Sequence, residues 1–311
     1  MNHFLLIVAA VATMSVTALS QGWEAVNSPT DDIITAICAL DDKTLFIVTA
    51  KGAAARTDDA GKHWRISPVA SDIYLDDISF VDSKTGIVCG RKGALYRTAD
   101  GGATWENLSL SDTNVWLMDA EMFNSQTGLI IGMASDTARR LQGLLLRTTD
   151  GGRSWRPQPR LGMGYSEILY RPGEAVYLLS MGQLHLSRDL GKNWETVPTV
   201  EGVIARTLSI RGQGGILAGP DGMSAYSSDG GRTWSKSDAS AQCVYIAAEL
   251  VDDNVGYVGG VPQILMRTAD GGRTWKQELM ARSFDVLDLC LVGKRLYAVG
   301  RDGGIIAKKV R

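Results

Sequence analysis

The pattern Ser/Thr-x-Asp-x-Gly-x-x-Trp occurs six times along the 311-residue chain. The copies end at Trp64, Trp105, Trp155, Trp194, Trp234 and Trp275, and carry Asp59, Asp100, Asp150, Asp189, Asp229 and Asp270. Six matches in one chain leave almost no room for chance, so the fold must use the pattern repeatedly. Glycine supplies the positive φ that a tight hairpin needs. The carboxylate and the Ser/Thr hydroxyl can take the N–H groups of that turn. The Trp offers a large ring to bury against a neighbouring layer. A catalytic or metal-binding aspartate would be needed once rather than six times, so the six aspartates are expected to be structural.

A seventh marker, Trp23, has no box before it. The seven Trp residues are spaced 41, 41, 50, 39, 40 and 41 residues apart. A period near 40 with strand-like content predicts a propeller. Each unit reads as a strand after the Trp, then three apolar strands separated by turns, as in Leu75–Phe80, Thr85–Gly90 and Gly93–Thr98. That makes four strands per blade. The final unit ends near Ile305 without box or Trp, so the Trp23 segment is expected to supply its missing strand and close the ring. The sequence thus predicts an all-β, seven-bladed propeller over 21–311. The third unit carries extra residues around Met133–Gly143, and Leu190 replaces the first box glycine in the fourth.

The first 20 residues are predominantly apolar, and Ala18-Leu19-Ser20 offers a small-residue cleavage site. We read residues 1–20 as a signal peptide cut after Ser20, which places the protein in the periplasm or outside the cell. No later stretch is apolar enough to span a bilayer. Lys+Arg number 32 against 34 Asp+Glu, so no global charge points to nucleic acid. The four cysteines, Cys38, Cys89, Cys243 and Cys290, form no C-x-x-C pair and are expected to be buried free thiols. No His cluster or metal-ligand spacing occurs, and neither cofactor nor metal is expected. Asn107-Leu108-Ser109 is a glycosylation sequon that matters only in a eukaryotic host.

The fuller repeat is clearest in the second unit: Phe80, Asp82, Gly86, Gly90 and Gly93, then Arg97 to Trp105. The box is the Asp-box, or bacterial neuraminidase repeat. The whole 21–311 region resembles the photosystem II stability/assembly factor family of seven-bladed propellers. That resemblance implies a lumenal or periplasmic assembly chaperone that holds a membrane-protein subunit when the host is photosynthetic. It also implies an arginine-rich patch across several blades on one face.

Box hairpins lie on one face of a propeller; the loop after each Trp strand and the loop between the second and third strands lie on the other, where binding usually occurs. Of these, the loops between the second and third strands are taken as the candidates. Those loops carry Lys51 in unit one, Arg91 and Lys92 in unit two, Arg139 and Arg140 in unit three, and Arg301 with Asp302 in unit seven. Units four to six offer Gln183, Asp221, Pro262 and Gln263. Units seven, one, two and three are neighbours in a ring, so the basic residues form one arc. The arc suits an acidic segment of a membrane or envelope protein, bound by a monomer. It equally suits a solvated loop surface. Tyr74, Trp116, Tyr165, Tyr245 and Phe284 fall near the same face, some of them in the core, and Trp116, the one Trp outside the marker positions, is the best candidate to anchor a partner.

The competing class is a sialidase-like or other glycoside hydrolase, or a carbohydrate-binding propeller. Sialidases place Arg-Ile-Pro before the first box; here Arg65-Ile66-Ser67-Pro68 follows it. A glycosidase needs two facing carboxyls. Asp76, Asp77, Asp119 and Asp288 fall near inner strands, and each also reads as a turn or channel residue. A scaffold with a binding face needs no catalytic group, and it is the reading preferred.

Overall fold

The computed structural model describes residues 22–310 except 136–139, 163, 181 and 239–241. The signal-peptide reading, its cleavage site and Arg139 therefore lie outside the described residues. Twenty-eight strands, β1–β28 in chain order, form seven four-stranded antiparallel sheets. The blades are β2–β5 (34–68), β6–β9 (75–107), β10–β13 (115–157), β14–β17 (167–197), β18–β21 (207–236), β22–β25 (244–277) and β26–β28 (286–309) with β1 (Trp23–Ala25). The expected seven-bladed propeller is what forms. Two 3-10 turns, Pro220–Gly222 and Arg301–Gly303, are the helical elements among the described residues. No helix there is long and apolar enough to cross a membrane.

The first strand of each blade is innermost and the Trp strand outermost. Inner strands are hydrophobic on the side that meets the next blade. The result is a chain of inter-blade cores such as Ala36, Phe46, Val48, Ile78, Phe80 and Val88 between the first two blades. Phe46 stacks on Phe80, and Trp105 meets Phe80 edge-on, so the box Trp seals each gap from outside.

Closure follows the expected route. Trp23, Glu24 and Ala25 pair with Lys308, Ala307 and Ile306 of β28 (Ile305–Lys309). Trp23 is fully buried, edge-on to Tyr257, and its indole N–H donates to Glu278 Oε2 at 3.0 Å. Lys308 Nζ donates to the same carboxylate at 2.6 Å, so the one carboxylate ties the first and last strands of the chain to blade six.

Blade three departs most from the others. β11 (Gly128–Ser135) and β12 (Leu141–Thr148) stay paired to Ser135↔Leu141, so their hairpin stands out from the loop face. The extra residues seen in the sequence lengthen this hairpin.

Candidate functional site

In every box the aspartate is consumed by its own turn. In the second box Thr98 Oγ1 donates to Asp100 Oδ1 at 2.8 Å, and Thr104 N–H donates to the same oxygen at 2.9 Å. Thr104 Oγ1 donates to Oδ2 at 2.6 Å, and Gly102 N–H reaches Thr98 Oγ1. The pattern repeats at Asp59, Asp150, Asp189, Asp229 and Asp270. These bonds hold the Asp100 carboxyl near pKa 2, chiefly through Thr104. The repeat's arginine also has a structural partner. Arg97 Nε donates to Gly151 O of the next box at 2.8 Å, as Arg56 does to Gly101 O and Arg147 to Leu190 O.

A cavity of about 710 Å³ runs into the ring axis, lined by residues from all seven inner strands. Its upper rim comes from β-bulges. Register shifts in five inner strands leave Thr35, Asp76, Met118, Ile246 and Leu287 unpaired and facing the cavity. Below them lies a layer of carboxylates that latch one blade to the next. Asp288 accepts Ile37 N–H at 2.8 Å, Asp77 accepts Ala120 N–H at 2.9 Å, Asp119 accepts Ile168 N–H at 2.6 Å and Glu167 accepts Leu208 N–H at 2.8 Å. Ser79 and Ser209 serve Met122 and Leu250 in the same way one layer further in.

All these carboxyls are half-buried, and burial raises each of them above the ordinary range. Asp288 stands at about 8, and two further inner-strand acids, Glu121 and the Arg211-paired Glu249, stand at about 8 and about 7. Asp77 and Asp119, which hydrogen-bond each other, are both raised. Asp77, Asp119 and Asp288, considered above as catalytic acids, are thus engaged by backbone N–H groups of the neighbouring blade. The latch escaped the sequence reading. Its trace there is a carboxylate two or three residues into an inner strand, indistinguishable from a turn acid without knowing which way the side chain points.

The mouth of the cavity holds a denser group. Arg91 lies between two rings, 4.2 Å from the Tyr74 centroid and 5.0 Å from that of Trp116. Arg91 also bridges to Trp116 through the backbone, which docks the β7–β8 loop onto blade three. Gly90 and Gly132 lie against the bulged inner strands of their own blades: a Cβ on either would sit 2.3 or 2.2 Å from the carbonyl of Tyr74 or Trp116. Asp76 lies in the same cavity. Its Oδ2 and the Trp116 indole N–H are buried and make no geometric hydrogen bond. Burial raises Asp76 to about 7, against the pull of Trp116 and Arg91.

The other predicted residues are scattered more widely. Lys51, Lys92, Arg140 and Arg301 are exposed, on the expected loops, but outside the cavity. Arg301 pairs with Asp285 at 2.9 Å, and Asp32 accepts Lys51 N–H, so acids from the preceding loops are interleaved with the arc. Arg206 lines the cavity from blade five and was not anticipated, because it precedes its strand in a loop class set aside in the sequence reading. Tyr165, Tyr245 and Phe284 are core residues. The cysteines are all free, as expected, yet Cys38 and Cys290 are half-buried rather than buried because they line the cavity.

Residues 66–159 match the family model described as photosynthesis system II assembly factor YCF48, and residues 225–236 match the BNR/Asp-box repeat. The first match falls on blades two and three, where the fuller repeat is cleanest, and it bears out the resemblance read from the sequence. No curated protein matches the chain. Among solved structures, "YCF48 bound to D1 peptide" is similar with a TM-score of 0.74 and 17% identity, over 93% of this chain and 96% of that one. YCF48 from Cyanidioschyzon merolae gives 0.73 and 14%, over 93% and 99%. The GH74 xyloglucanase from Xanthomonas campestris gives 0.67 and 16%, over 93% of this chain and 54% of the enzyme. At such identities the structural likeness speaks for the fold.

Proposed function

We propose that this chain is a secreted or periplasmic, non-enzymatic scaffold that binds an acidic segment of a membrane or envelope protein. The segment docks on the face that carries Lys51, Arg91, Lys92, Trp116, Arg139, Arg140 and Arg301. The observation that carries this reading is Arg91, held between Tyr74 and Trp116 at the channel mouth. A guanidinium fixed by two rings has little orientational freedom left to lose on binding, which favours recognition of a carboxylate. A propeller of the same fold has been solved with a D1 peptide, which supports a peptide as the partner. In a photosynthetic host the role would be assembly of a photosystem subunit. The signal peptide delivers the chain, and it works as a monomer.

The hydrolase reading draws on the xyloglucanase likeness, but three of its four candidate acids, Asp77, Asp119 and Asp288, are bonded to neighbouring blades, which leaves Asp76 without a facing free carboxyl among them. Changing Arg91, Arg139, Arg140 and Arg301 together to Glu should leave the fold intact and abolish recovery of the partner from envelope extracts at low salt. Equal recovery by variant and wild type removes this face from consideration. Release of sugar from xyloglucan by the purified protein would favour the hydrolase instead.

A further inference from the structure

Five inner strands carry a bulge at the channel mouth, and the residues placed there are Thr35, Asp76, Met118, Ile246 and Leu287. Asp76 is the ionisable one of the five. It shares the cavity with Arg91 and feels its charge, yet the two form no salt bridge. Asp76 accepts no backbone N–H of a neighbouring blade, and the Trp116 indole is the donor beside it, so the carboxyl lacks the latch that Asp77, Asp119, Glu167 and Asp288 form. Arg91 in turn rests on ring faces rather than on a carboxylate.

We propose that Asp76 is a proton-operated gate on Arg91. With Asp76 protonated, Arg91 presents an uncompensated positive charge to an acidic group of the partner. With Asp76 ionised, the two charges offset each other and the mouth loses much of its hold on that group. The proposal rests on the partner-binding reading of this face, and it adds a pH dependence to that reading.

The surroundings of Asp76 bring its titration into the neutral range. Its own strand supplies Asp77. The loop before it supplies Tyr74, the β7–β8 loop Arg91, and β10 (Val115–Met122) Trp116, Asp119 and, deeper, Glu121. Glu167, Asp288 and the basic Arg206 lie around the same cavity. Buried Cys89 also senses the Asp76 charge. Arg91 and Trp116 are the neighbours that favour ionisation, and burial outweighs them, so the carboxyl titrates at about 7. An acidic partner should therefore bind more tightly at pH 6 than at pH 8. By reciprocity, its binding should raise the Asp76 midpoint.

The test reads the gate and the partner separately. The indole N–H resonance of Trp116, one of eight Trp, is assigned with W116F and followed from pH 4 to 9 by NMR. Wild type should show a transition near pH 7 that is absent in D76N and moves upward in R91Q, where the favourable charge is gone. A midpoint in the ordinary carboxylate range, or one that R91Q leaves unmoved, overturns the gate. The probe for binding is N-acetyl-tetraglutamate amide. Its affinity for wild type should fall about five- to tenfold from pH 6 to 8, while D76N holds the low-pH affinity throughout. Parallel profiles for wild type and D76N also overturn the gate. If the indole titrates as expected but wild type and R91Q bind the peptide equally, the coupling stands and the acidic-partner reading falls.

Discussion

At the scale of single residues, each box aspartate satisfies up to four donors of a turn on the surface. Water can replace part of what it supplies, so Asp100→Ala or Asp270→Ala should lower stability by about 0.5–1.5 kcal/mol, measured by urea denaturation. Loss of partner recovery at unchanged stability would mark a functional box. The sign of the pH effect follows from the direction of the shift. The folded pKa near 2 at Asp100, Asp150 and Asp229 lies below the unfolded value. The stability these groups add is present above about pH 4 and is lost as pH falls through about 2. The arginine of the repeat belongs to the same scale. Arg97 is buried and bonds the carbonyl of the next box, so its recurrence reflects blade-to-blade adhesion.

At the scale of the strand, the inner ring is the unusual element. Half-buried carboxyls line it: Asp77, Asp119, Glu167 and Asp288 reach across blade gaps to backbone N–H groups, Glu249 pairs with Arg211, and burial raises Asp288 and Glu121 to about 8 and Glu249 to about 7. Here the folded value lies above the unfolded one. Their contribution is full below the ordinary carboxylate pKa of about 4 and is lost as pH rises through about 7–8. Together with the box aspartates, this predicts a stability maximum in the mildly acidic range. Urea midpoints from pH 3 to 9 test it: a midpoint that climbs steadily from pH 5 to 9 would contradict the strand-level account. Replacing Asp288 by Asn should flatten the alkaline limb, since the amide oxygen can still accept the Ile37 N–H.

At the scale of the whole molecule, one seam decides whether the ring exists. Blade seven is the blade built from both ends of the chain, and Trp23, Glu278 and Lys308 are joined there in a buried cluster. Trp23→Ala removes the ring and leaves the Glu278–Lys308 pair beside a void, which should cost about 3–5 kcal/mol. Removing 21–28 should lower the melting temperature further still, because β28 then becomes an open edge. An unchanged melting temperature would mean that the ring does not close at this seam.

Local chemistry written into the repeat made the architecture legible in advance. Six boxes and seven Trp markers state the blade count, and the missing box at each end states how the ring closes. Each of those signals needs only its own eight residues and a constant spacing. The loop class of Lys51, Arg91, Lys92 and Arg301 was legible for the same reason. The sequence could not reveal which of them converge. Arg91 meets Tyr74 and Trp116 across two blades, while Arg301 is claimed by Asp285, and both outcomes depend on contacts between residues from different loops. Nor could it reveal that Asp76 points into the channel without a bond while Asp77 grips the next blade. A single bulge separates those two adjacent aspartates, and its register is set by pairing with β7 (Gly86–Gly90), which only the folded sheet decides.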